Sequence, residues 1–194
     1  SLRKAFGDEN ALRLFVAADL MQPEQVGAAV GTVVERCGRI DVVCNLAGGF
    51  RMGDAVHETS SATWDSLFDL NVRTVLHMAH AVVPHMIERG GGKIVNVSAF
   101  SALKGTARMG AYAASKSAVI RLTETMAAEL REQNINVNCV LPTTLDTPEN
   151  RAAMPDADPA RWVAPRDLAS VIAFLASDAA CAIHGAALPV TGLG

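Results

Sequence analysis

Tyr112 and Lys116 are the residues whose types and spacing most directly suggest chemistry. They stand four positions apart, and on an α-helix this spacing places both side chains on the same face. A phenol with an ordinary pKa of about 10 carries protons poorly at neutral pH, but a fixed positive charge beside it favours the phenolate and lowers that pKa. The pair therefore predicts an acid/base centre, although the same spacing also occurs on ordinary amphipathic helices.

Two more polar residues could take part in this chemistry. Ser98 follows an apolar run that ends at Val97, and at the C-terminal end of a strand its hydroxyl could donate to a substrate oxygen as charge develops there. A cap on the following turn is the alternative. Asn71 lies inside a long helical pattern, where its modest helix propensity predicts a bound water or a backbone partner. A tolerated interior asparagine is the alternative.

Small residues follow the apolar run that ends at Asn45, among them Ala47 and Gly48. A strand that ends in this way lets a flat group approach the backbone closely, which predicts the ribose and adenine side of a nucleotide. A simple strand-to-loop turn is the alternative. Asp19 and Leu20 follow another short apolar run and are candidates for the same nucleotide site, with a strand-end cap as the alternative for Asp19.

The elements that must position these residues alternate between short apolar runs and longer helical patterns, which is typical of βαβ units in a parallel sheet. The runs are too short for core helices, and they predict buried strands over residues 12–17, 40–45, 93–97, 135–141 and 187–190. Helices are predicted over residues 23–36, 61–89, 111–133 and 165–177. The expected fold is a single α/β domain over residues 1–194, with a doubly wound, Rossmann-like parallel sheet between two helix layers. The long stretch 142–164 is expected to be a lid or binding loop.

Composition and charge argue against several classes of partner. The formal net charge is −3 and the lysines and arginines are scattered, so neither nucleic acid nor an anionic membrane is an expected partner. Without a signal-peptide pattern or an apolar run of about eighteen residues, the chain is predicted to be soluble and cytoplasmic. The four cysteines are far apart and are expected to be reduced core residues. His77 and His80 lie one helical turn apart, but no further ligand stands at a suitable spacing, so no metal site is predicted.

Taken together, the candidate residues resemble the motifs of the short-chain dehydrogenase/reductase family. Ser98, Tyr112 and Lys116 match that family's catalytic serine, tyrosine and lysine, and Asn71 matches the helix asparagine that holds its proton-relay water. The likeness covers nearly all of the chain, since residues 165–178 are similar to the family's late helix and residues 185–192 to its last strand.

The resemblance also implies a coenzyme, NAD or NADP. Asn45-x-Ala47-Gly48 looks like the family's N-N-A-G element, with leucine in place of the second asparagine, and Asp19 falls where the family has an acidic residue facing the adenine. The family's proline-glycine appears here as proline-threonine. The residues that the resemblance assigns to the nicotinamide end of the coenzyme are Pro142, Thr143, Leu145 and Thr147.

These expectations define an oxidoreductase that transfers a hydride between a nicotinamide coenzyme and a carbonyl or alcohol substrate. In the reducing direction Tyr112 donates a proton, Ser98 positions the oxygen, Lys116 holds the ribose and Asn71 supports the water chain. A 3-oxoacyl thioester, as in 3-oxoacyl-ACP reductases, or a small ketone is the first choice of substrate.

Two alternatives to this function remain. Residues 141–162 also look like the corresponding stretch of dihydropteridine reductases, but these lack the serine that Ser98 supplies, so the substrate does not follow from the local likeness. A non-catalytic nucleotide-binding scaffold on the same fold is the other alternative, although a scaffold has no need for all four candidate residues.

Two expectations concern the rest of the molecule. No G-x-G-x-x-G turn occurs near Ser1, so a further βαβ unit of about 30 or more residues, with the first strand and the phosphate-binding turn, is expected ahead of it. The helices at 61–89 and 111–133 are apolar around more than one stripe, which together with the resemblance predicts a homodimer or homotetramer that pairs them. The residues concerned are Val75, Met78, Ala79, Val82, Val119, Leu122, Met126 and Leu130.

Overall fold

A computed structural model of the chain describes Gly7, Asn10 and residues 12–194. In this part of the chain, four parallel strands pair in the order β1-β2-β3-β4. The strands are β1 (Val42–Asn45), β2 (Gly92–Val97), β3 (Ile135–Pro142) and β4 (Ala187–Val190). The α-helices are α1 (Pro23–Cys37), α2 (Ser61–Phe68), α3 (Thr74–Glu88), α4 (Gly110–Leu130), α5 (Pro148–Ala153) and α6 (Pro165–Leu175).

Two apolar clusters cover the opposite faces of the sheet. Ile135 and Val137 of β3 belong to a cluster with residues of α1, α3 and α4, whereas Val140 belongs to a second cluster with residues of α6. Successive side chains of a strand point to opposite faces, so one strand can supply both clusters. All eight residues of β3 are buried. The predicted α/β fold, a Rossmann-like parallel sheet between helix layers, is confirmed.

The helix boundaries agree closely with the sequence pattern. Pro23 and Pro165 occupy the first turns of α1 and α6, where the missing N–H costs no helical hydrogen bond. The helix predicted over residues 61–89 is continuous but has three segments, in which a π-helical turn (Asp69–Arg73) joins α2 to α3. The stretch predicted as a long irregular loop contains the short helix α5.

The strand predicted over residues 12–17 is wrong. This stretch contains only an isolated antiparallel bridge between Asn10 and Arg13, and Leu12 is almost fully exposed. An apolar run becomes a strand only when a neighbour offers its backbone and a surface to cover its side chains. In the described part of the chain β1 is consequently an edge strand, with Val42 and Cys44 exposed.

The expectation that the cysteines are core residues holds for only one of them. Cys139 in β3 is buried, but Cys37, Cys44 and Cys181 are exposed. The sequence pattern misplaced them because apolar neighbours in sequence do not ensure burial at the end of a helix or in an edge strand.

The apolar surface that suggested an oligomer is used mostly within the domain. Val75, Val82, Val119 and Leu130 are buried in the core. Met78 and Met126 pack against the same core. The excess of apolar residues on these helices therefore reflects burial under neighbouring helices. None of the helices in the described residues is long and apolar enough to cross a membrane.

Candidate active site

The predicted acid/base residues lie at the edge of the sheet where the parallel strands end. Strand β2 ends at Val97, and Ser98 follows it directly, while Tyr112 and Lys116 lie in the first two turns of α4. The two elements are joined by a hydrogen bond that Nζ of Lys116 donates to the carbonyl oxygen of Val97 (3.0 Å). This edge is where open α/β sheets bind their ligands.

Burial changes the proton affinity of both residues of the pair. Lys116 is buried, and the loss of water lowers the pKa of its ammonium to about 8. Tyr112 is half-buried, and burial raises the pKa of its phenol. The sequence predicted that Lys116 would lower the phenol pKa, and the structure differs. Loss of water has the larger effect on the phenol, and the ammonium of Lys116 is turned towards the carbonyl of Val97.

Asn71 lies in the π-helical turn, a feature that often occurs at functional sites. Its buried side chain accepts a hydrogen bond from the backbone N–H of Gly49 (2.9 Å) and donates to the carbonyl oxygen of Gly49 (3.1 Å) and to Oγ of Ser115 (3.0 Å). The backbone partner expected for an interior asparagine is thus Gly49. Through this amide the loop after β1 is connected to α4.

Ser98 is buried, and its hydroxyl donates to the main-chain carbonyl oxygen of Lys116 (2.7 Å). Its backbone N–H donates to the carbonyl oxygen of Val140 and extends the pairing of β2 with β3. A serine hydroxyl has a single hydrogen to donate. In this structure that hydrogen is engaged by the backbone of α4, which differs from the predicted contact with a substrate oxygen.

Gly48 forms a cradle beside the lysine. A Cβ atom at Gly48 would lie 2.9 Å from Oδ1 of Asn71 and 3.0 Å from Nζ of Lys116. Such distances are closer than Cβ atoms normally approach, so any larger residue would fill the space next to the ammonium. The backbone at Gly48 therefore approaches Asn71 and Lys116 more closely than a residue with a side chain would allow.

Asn45 faces along the sheet. Its Nδ2 donates to Oδ1 of Asn96 (2.8 Å), and Nδ2 of Asn96 donates to Oγ1 of Thr123 (2.9 Å). This row of polar groups connects β1, β2 and α4 beneath the site. The amide of Asn45 therefore supports the strand end from within the protein.

Asp19 and Leu20 lie in the turn that precedes α1. The carboxylate of Asp19 accepts the N–H of Met21 (2.9 Å), and the N–H of Asp19 donates to Oε1 of Gln25 (3.0 Å). The carbonyl oxygen of Leu20 pairs with Nδ1 of His77 (2.8 Å). These contacts connect the turn to α1 and α3 and do not bring it against Tyr112 or Lys116.

The remaining predicted residues lie where β3 leaves the sheet. Pro142 is its last, buried residue, and the hydroxyl of Thr143 donates to a carbonyl just beyond β4 (2.9 Å). Leu145 forms an isolated parallel bridge with Val163, and Thr147 is the N-cap of α5. The loop thus leaves and rejoins the sheet edge at defined points.

Comparisons with known proteins agree with this geometry. Residues 2–192 match the family model described as Enoyl-(Acyl carrier protein) reductase. The chain is 37% identical over 190 residues to 2-dehydro-3-deoxy-D-gluconate 5-dehydrogenase of Escherichia coli (strain K12), covering 92% of this chain and 75% of that protein. It is 36% identical over 177 residues to the 3-oxoacyl-[acyl-carrier-protein] reductase FabG of Thermotoga maritima, with coverage of 87% and 72%.

The chain belongs to the short-chain dehydrogenase/reductase family. A solved structure supports the assignment: gluconate 5-dehydrogenase from Burkholderia cenocepacia J2315, in complex with NADP and tartrate, is similar with a TM-score of 0.83 and 33% identity, covering 90% of this chain and 72% of that one. The predicted activity class is confirmed. This short-chain dehydrogenase/reductase is an NAD(P)-dependent oxidoreductase of carbonyl or alcohol compounds.

Two residues that the sequence pattern did not indicate contact Tyr112. The ring of Phe50 meets the ring of Tyr112 edge-on, with centroids 4.8 Å apart and planes at 85°. Ser115 is buried, and its hydroxyl donates to the carbonyl oxygen of Tyr112 (2.8 Å). A small polar residue next to Lys116 was the only signal for Ser115, and a loop without periodicity gave none for Phe50.

Two histidines of α3 were considered as metal ligands in the sequence. His77 contacts Leu20, and His80 is exposed. Among the residues that the structure describes, no group of three or more His, Cys, Asp or Glu residues could hold a metal ion.

Proposed function

We propose that this oxidoreductase reduces the carbonyl carbon of a 3-oxoacyl thioester or a small ketone, with Tyr112 as its acid/base. The observation that supports it is the close approach of Asn71 and Lys116 to the backbone at Gly48, with Tyr112 one helical turn from Lys116. The name of the Thermotoga maritima relative, a 3-oxoacyl-[acyl-carrier-protein] reductase, supports the thioester class.

Tyr112 acts as the acid in the reducing direction. Burial raises the pKa of the phenol, so the hydroxyl is protonated at neutral pH and has a proton to give to the carbonyl oxygen. Lys116, with a pKa of about 8, is mostly charged under the same conditions and would bind the ribose hydroxyls of the coenzyme. Asn71 and Ser115 connect α4 to the loop after β1, and they would support the water chain that returns a proton to Tyr112.

Ser98 has a different role in this proposal from the one expected from sequence. Its hydroxyl holds the main chain of α4 at Lys116 against the end of β2, so it positions the helix that carries Tyr112. The substrate oxygen is then met by the phenol of Tyr112.

A nicotinamide coenzyme fits the residues at this edge of the sheet. A side chain at position 48 would crowd the Lys116 ammonium, and glycine avoids this. The ammonium is bonded to a neutral carbonyl rather than to a carboxylate, so its charge remains available to a ligand. The coenzyme, NAD or NADP, supplies or accepts the hydride. The residues proposed to hold it are Asp19, Leu20, Asn45, Ala47, Gly48, Tyr112, Lys116, Pro142, Thr143, Leu145 and Thr147.

A dihydropteridine-type reductase is the second candidate, and the geometry of Ser98 is compatible with it. The serine at this position was the feature that separated the chain from dihydropteridine reductases. Because the hydroxyl of Ser98 is bonded to the Lys116 carbonyl, it no longer argues against a pteridine substrate. The likeness of residues 141–162 to those enzymes then supports this candidate.

The wider organisation of the protein belongs to the same proposal. We propose a single cytoplasmic domain that forms a homodimer or homotetramer through the helices of 61–89 and 111–133. Four exposed apolar residues within 61–89 support it: Trp64, Leu70, Leu76 and Ile87. Light scattering at micromolar concentration tests the assembly. The expected βαβ unit ahead of Ser1 stays a prediction, which the intact mass of the native protein tests.

The test of function is a coupled panel of coenzymes and substrates. Oxidation of NADH and of NADPH would be followed with 3-oxoacyl thioesters, small ketones and a quinonoid dihydropteridine. Turnover with thioesters or ketones supports the first candidate, and turnover with the pteridine alone supports the second. A protein that oxidises neither coenzyme with any of these compounds would contradict both.

A further inference from the structure

Phe50 is the aromatic residue in contact with the catalytic tyrosine. The two rings meet in a T-shaped arrangement, with centroids 4.8 Å apart. Aromatic rings prefer this edge-to-face geometry, in which the face of one ring remains free for a further partner. The Phe50 side chain is 60% exposed, so much of its surface is not covered by the protein.

The backbone that carries Phe50 is held on both sides of the preceding residue. The side-chain amide of Asn71 accepts from the N–H of Gly49 (2.9 Å) and donates to the carbonyl oxygen of Gly49 (3.1 Å). Asn71 is itself buried and bonded to Ser115 of α4. The backbone directly before Phe50 is therefore held by a buried network, although the Phe50 ring itself lies at the surface.

Isolated exposed apolar side chains are ordinary, but this one combines three properties. It is a large ring, it contacts the group that exchanges a proton with the substrate, and its main chain is fixed. The same loop exposes Met52 and Val56 together with the charged residues Arg51 and Asp54, so among these Phe50 is the one with a recorded ring contact to Tyr112. A fixed apolar ring face favours a flat, conjugated partner over a puckered one of equal size, because more atoms reach contact distance at once.

We infer that Phe50 contacts the substrate and selects carbonyl compounds that carry a flat conjugated ring on the reacting carbon. The inference rests on the proposed function, because it takes Tyr112 as the residue that meets the carbonyl oxygen. It narrows the proposed substrates, 3-oxoacyl compounds and small ketones, to those with an aromatic or conjugated ring. Asn71 then also acts as a positioning residue for specificity, through Gly49.

A matched pair of 3-oxo esters tests the selection. Ethyl benzoylacetate and ethyl 3-cyclohexyl-3-oxopropanoate have the same skeleton and differ in whether the ring is flat. We expect the wild type to have the higher kcat/KM for the phenyl compound. Phe50→Leu, which keeps an apolar side chain but removes the ring, should lower this preference by about fivefold, the scale of one aromatic contact, while Phe50→Trp should retain it.

The control variant is Met52→Leu, because Met52 is exposed on the same loop. This change should leave the ratio of the two kcat/KM values within about twofold. Equal losses with both esters in Phe50→Leu would mean that Phe50 only supports Tyr112, and would overturn the inference, as would a wild type without preference for the flat ring. If neither ester is reduced, the proposed function fails for 3-oxo esters. The inference is then tested by calorimetry, which measures the affinity of ethyl benzoylacetate for the wild type and for Phe50→Leu. Equal affinities would overturn the inference.

Discussion

The α4 side of the candidate site and the loop after β3 are held by different kinds of contact. On the α4 side, buried polar groups bond to the backbone: Ser98 to the carbonyl of Lys116, and Lys116 to the carbonyl of Val97. In the loop after β3, Arg151 makes two bonds of 2.6 and 2.8 Å to the carboxylate of Asp146 on a largely exposed surface.

This difference indicates where substitutions should matter. Removing one partner of a buried hydrogen bond leaves the other group buried without a partner and out of reach of water. Exposed ions, in contrast, are solvated again when they separate. The groups proposed to exchange a proton with the substrate also lie on the buried side. We therefore expect large effects on the α4 side and small ones at the exposed ion pair of the loop.

Tyr112→Phe should have the largest effect. The protein should fold as before, but turnover should fall by at least about a hundredfold, the usual scale for loss of a positioned acid/base. Steady-state oxidation of the reduced coenzyme measures the loss, and thermal unfolding followed by circular dichroism is the control for folding. Turnover close to that of the wild type would end the tyrosine mechanism.

Lys116→Met should lower coenzyme-dependent activity, by less than Tyr112→Phe does, and yet stabilise the fold. The folded-state pKa of about 8 lies below the value of about 10.4 in an unfolded chain. The unfolded chain therefore binds the proton more tightly, and the wild-type free energy of unfolding rises with pH between these two values. At about pH 7 the buried charge costs about 3 kcal/mol, and loss of the bond to Val97 offsets about 1 kcal/mol of the gain.

Urea unfolding at about pH 7 and about pH 9.5 checks this prediction. The variant should be more stable by about 2 kcal/mol at the lower pH, and its advantage should shrink at the higher one. A variant that is less stable than the wild type at both pH values would show that the ammonium is better paired than its surroundings indicate.

Gly48→Ala should weaken coenzyme binding by about tenfold, equivalent to about 1.4 kcal/mol. The added methyl would lie about 3 Å from Oδ1 of Asn71 and Nζ of Lys116, where it occupies the cradle. Equilibrium titration with the reduced coenzyme measures the change. Gly31→Ala is the matched control, since nothing lies within 4 Å of a Cβ at Gly31 on α1; equal affinities of the two variants would remove Gly48 from the site.

Ser98→Ala should cost about 1 kcal/mol of stability, the value of one hydrogen bond, and lower turnover by less than about tenfold. Its hydroxyl acts on the position of α4 and has no hydrogen left for a substrate. Ser117→Ala is the control, because that hydroxyl also donates to a backbone carbonyl, that of Ala102 (2.8 Å). A hundredfold loss of turnover in Ser98→Ala alone would return Ser98 to the substrate contact suggested by the sequence.

Asp146→Asn should have the smallest effect. The Arg151 guanidinium holds the pKa of the Asp146 carboxyl below its usual value. The ion pair therefore stabilises the fold at pH values above the usual carboxyl pKa, and this stabilisation is lost as the pH falls through the lowered pKa. Because the pair is solvated, we expect turnover within about twofold of the wild type at neutral pH. A tenfold loss in steady-state assays would mean that the loop after β3 is as tightly coupled to the site as α4 is.

Local pattern was sufficient for most of the fold and for the central residues. The runs at 40–45, 93–97, 135–141 and 187–190 became β1 to β4 within two residues at each end, because their apolar, mostly β-branched residues suit a sheet covered on both faces. The spacing of Tyr112 and Lys116 placed both in the first turns of α4, since helical periodicity depends only on positions along the chain.

Only the tertiary structure decided what each polar group contacts. The run at 12–17 has the composition of a strand but is not one, because pairing requires a neighbouring backbone. The hydroxyl of Ser98 and the ring of Phe50 contact groups 18 and 62 positions away in the sequence, and the phenol pKa of Tyr112 depends on the loss of water. Local spacing contains neither kind of information. The amino-acid sequence thus determined which residues could do the chemistry, and tertiary packing determined which of their atoms remain free to do it.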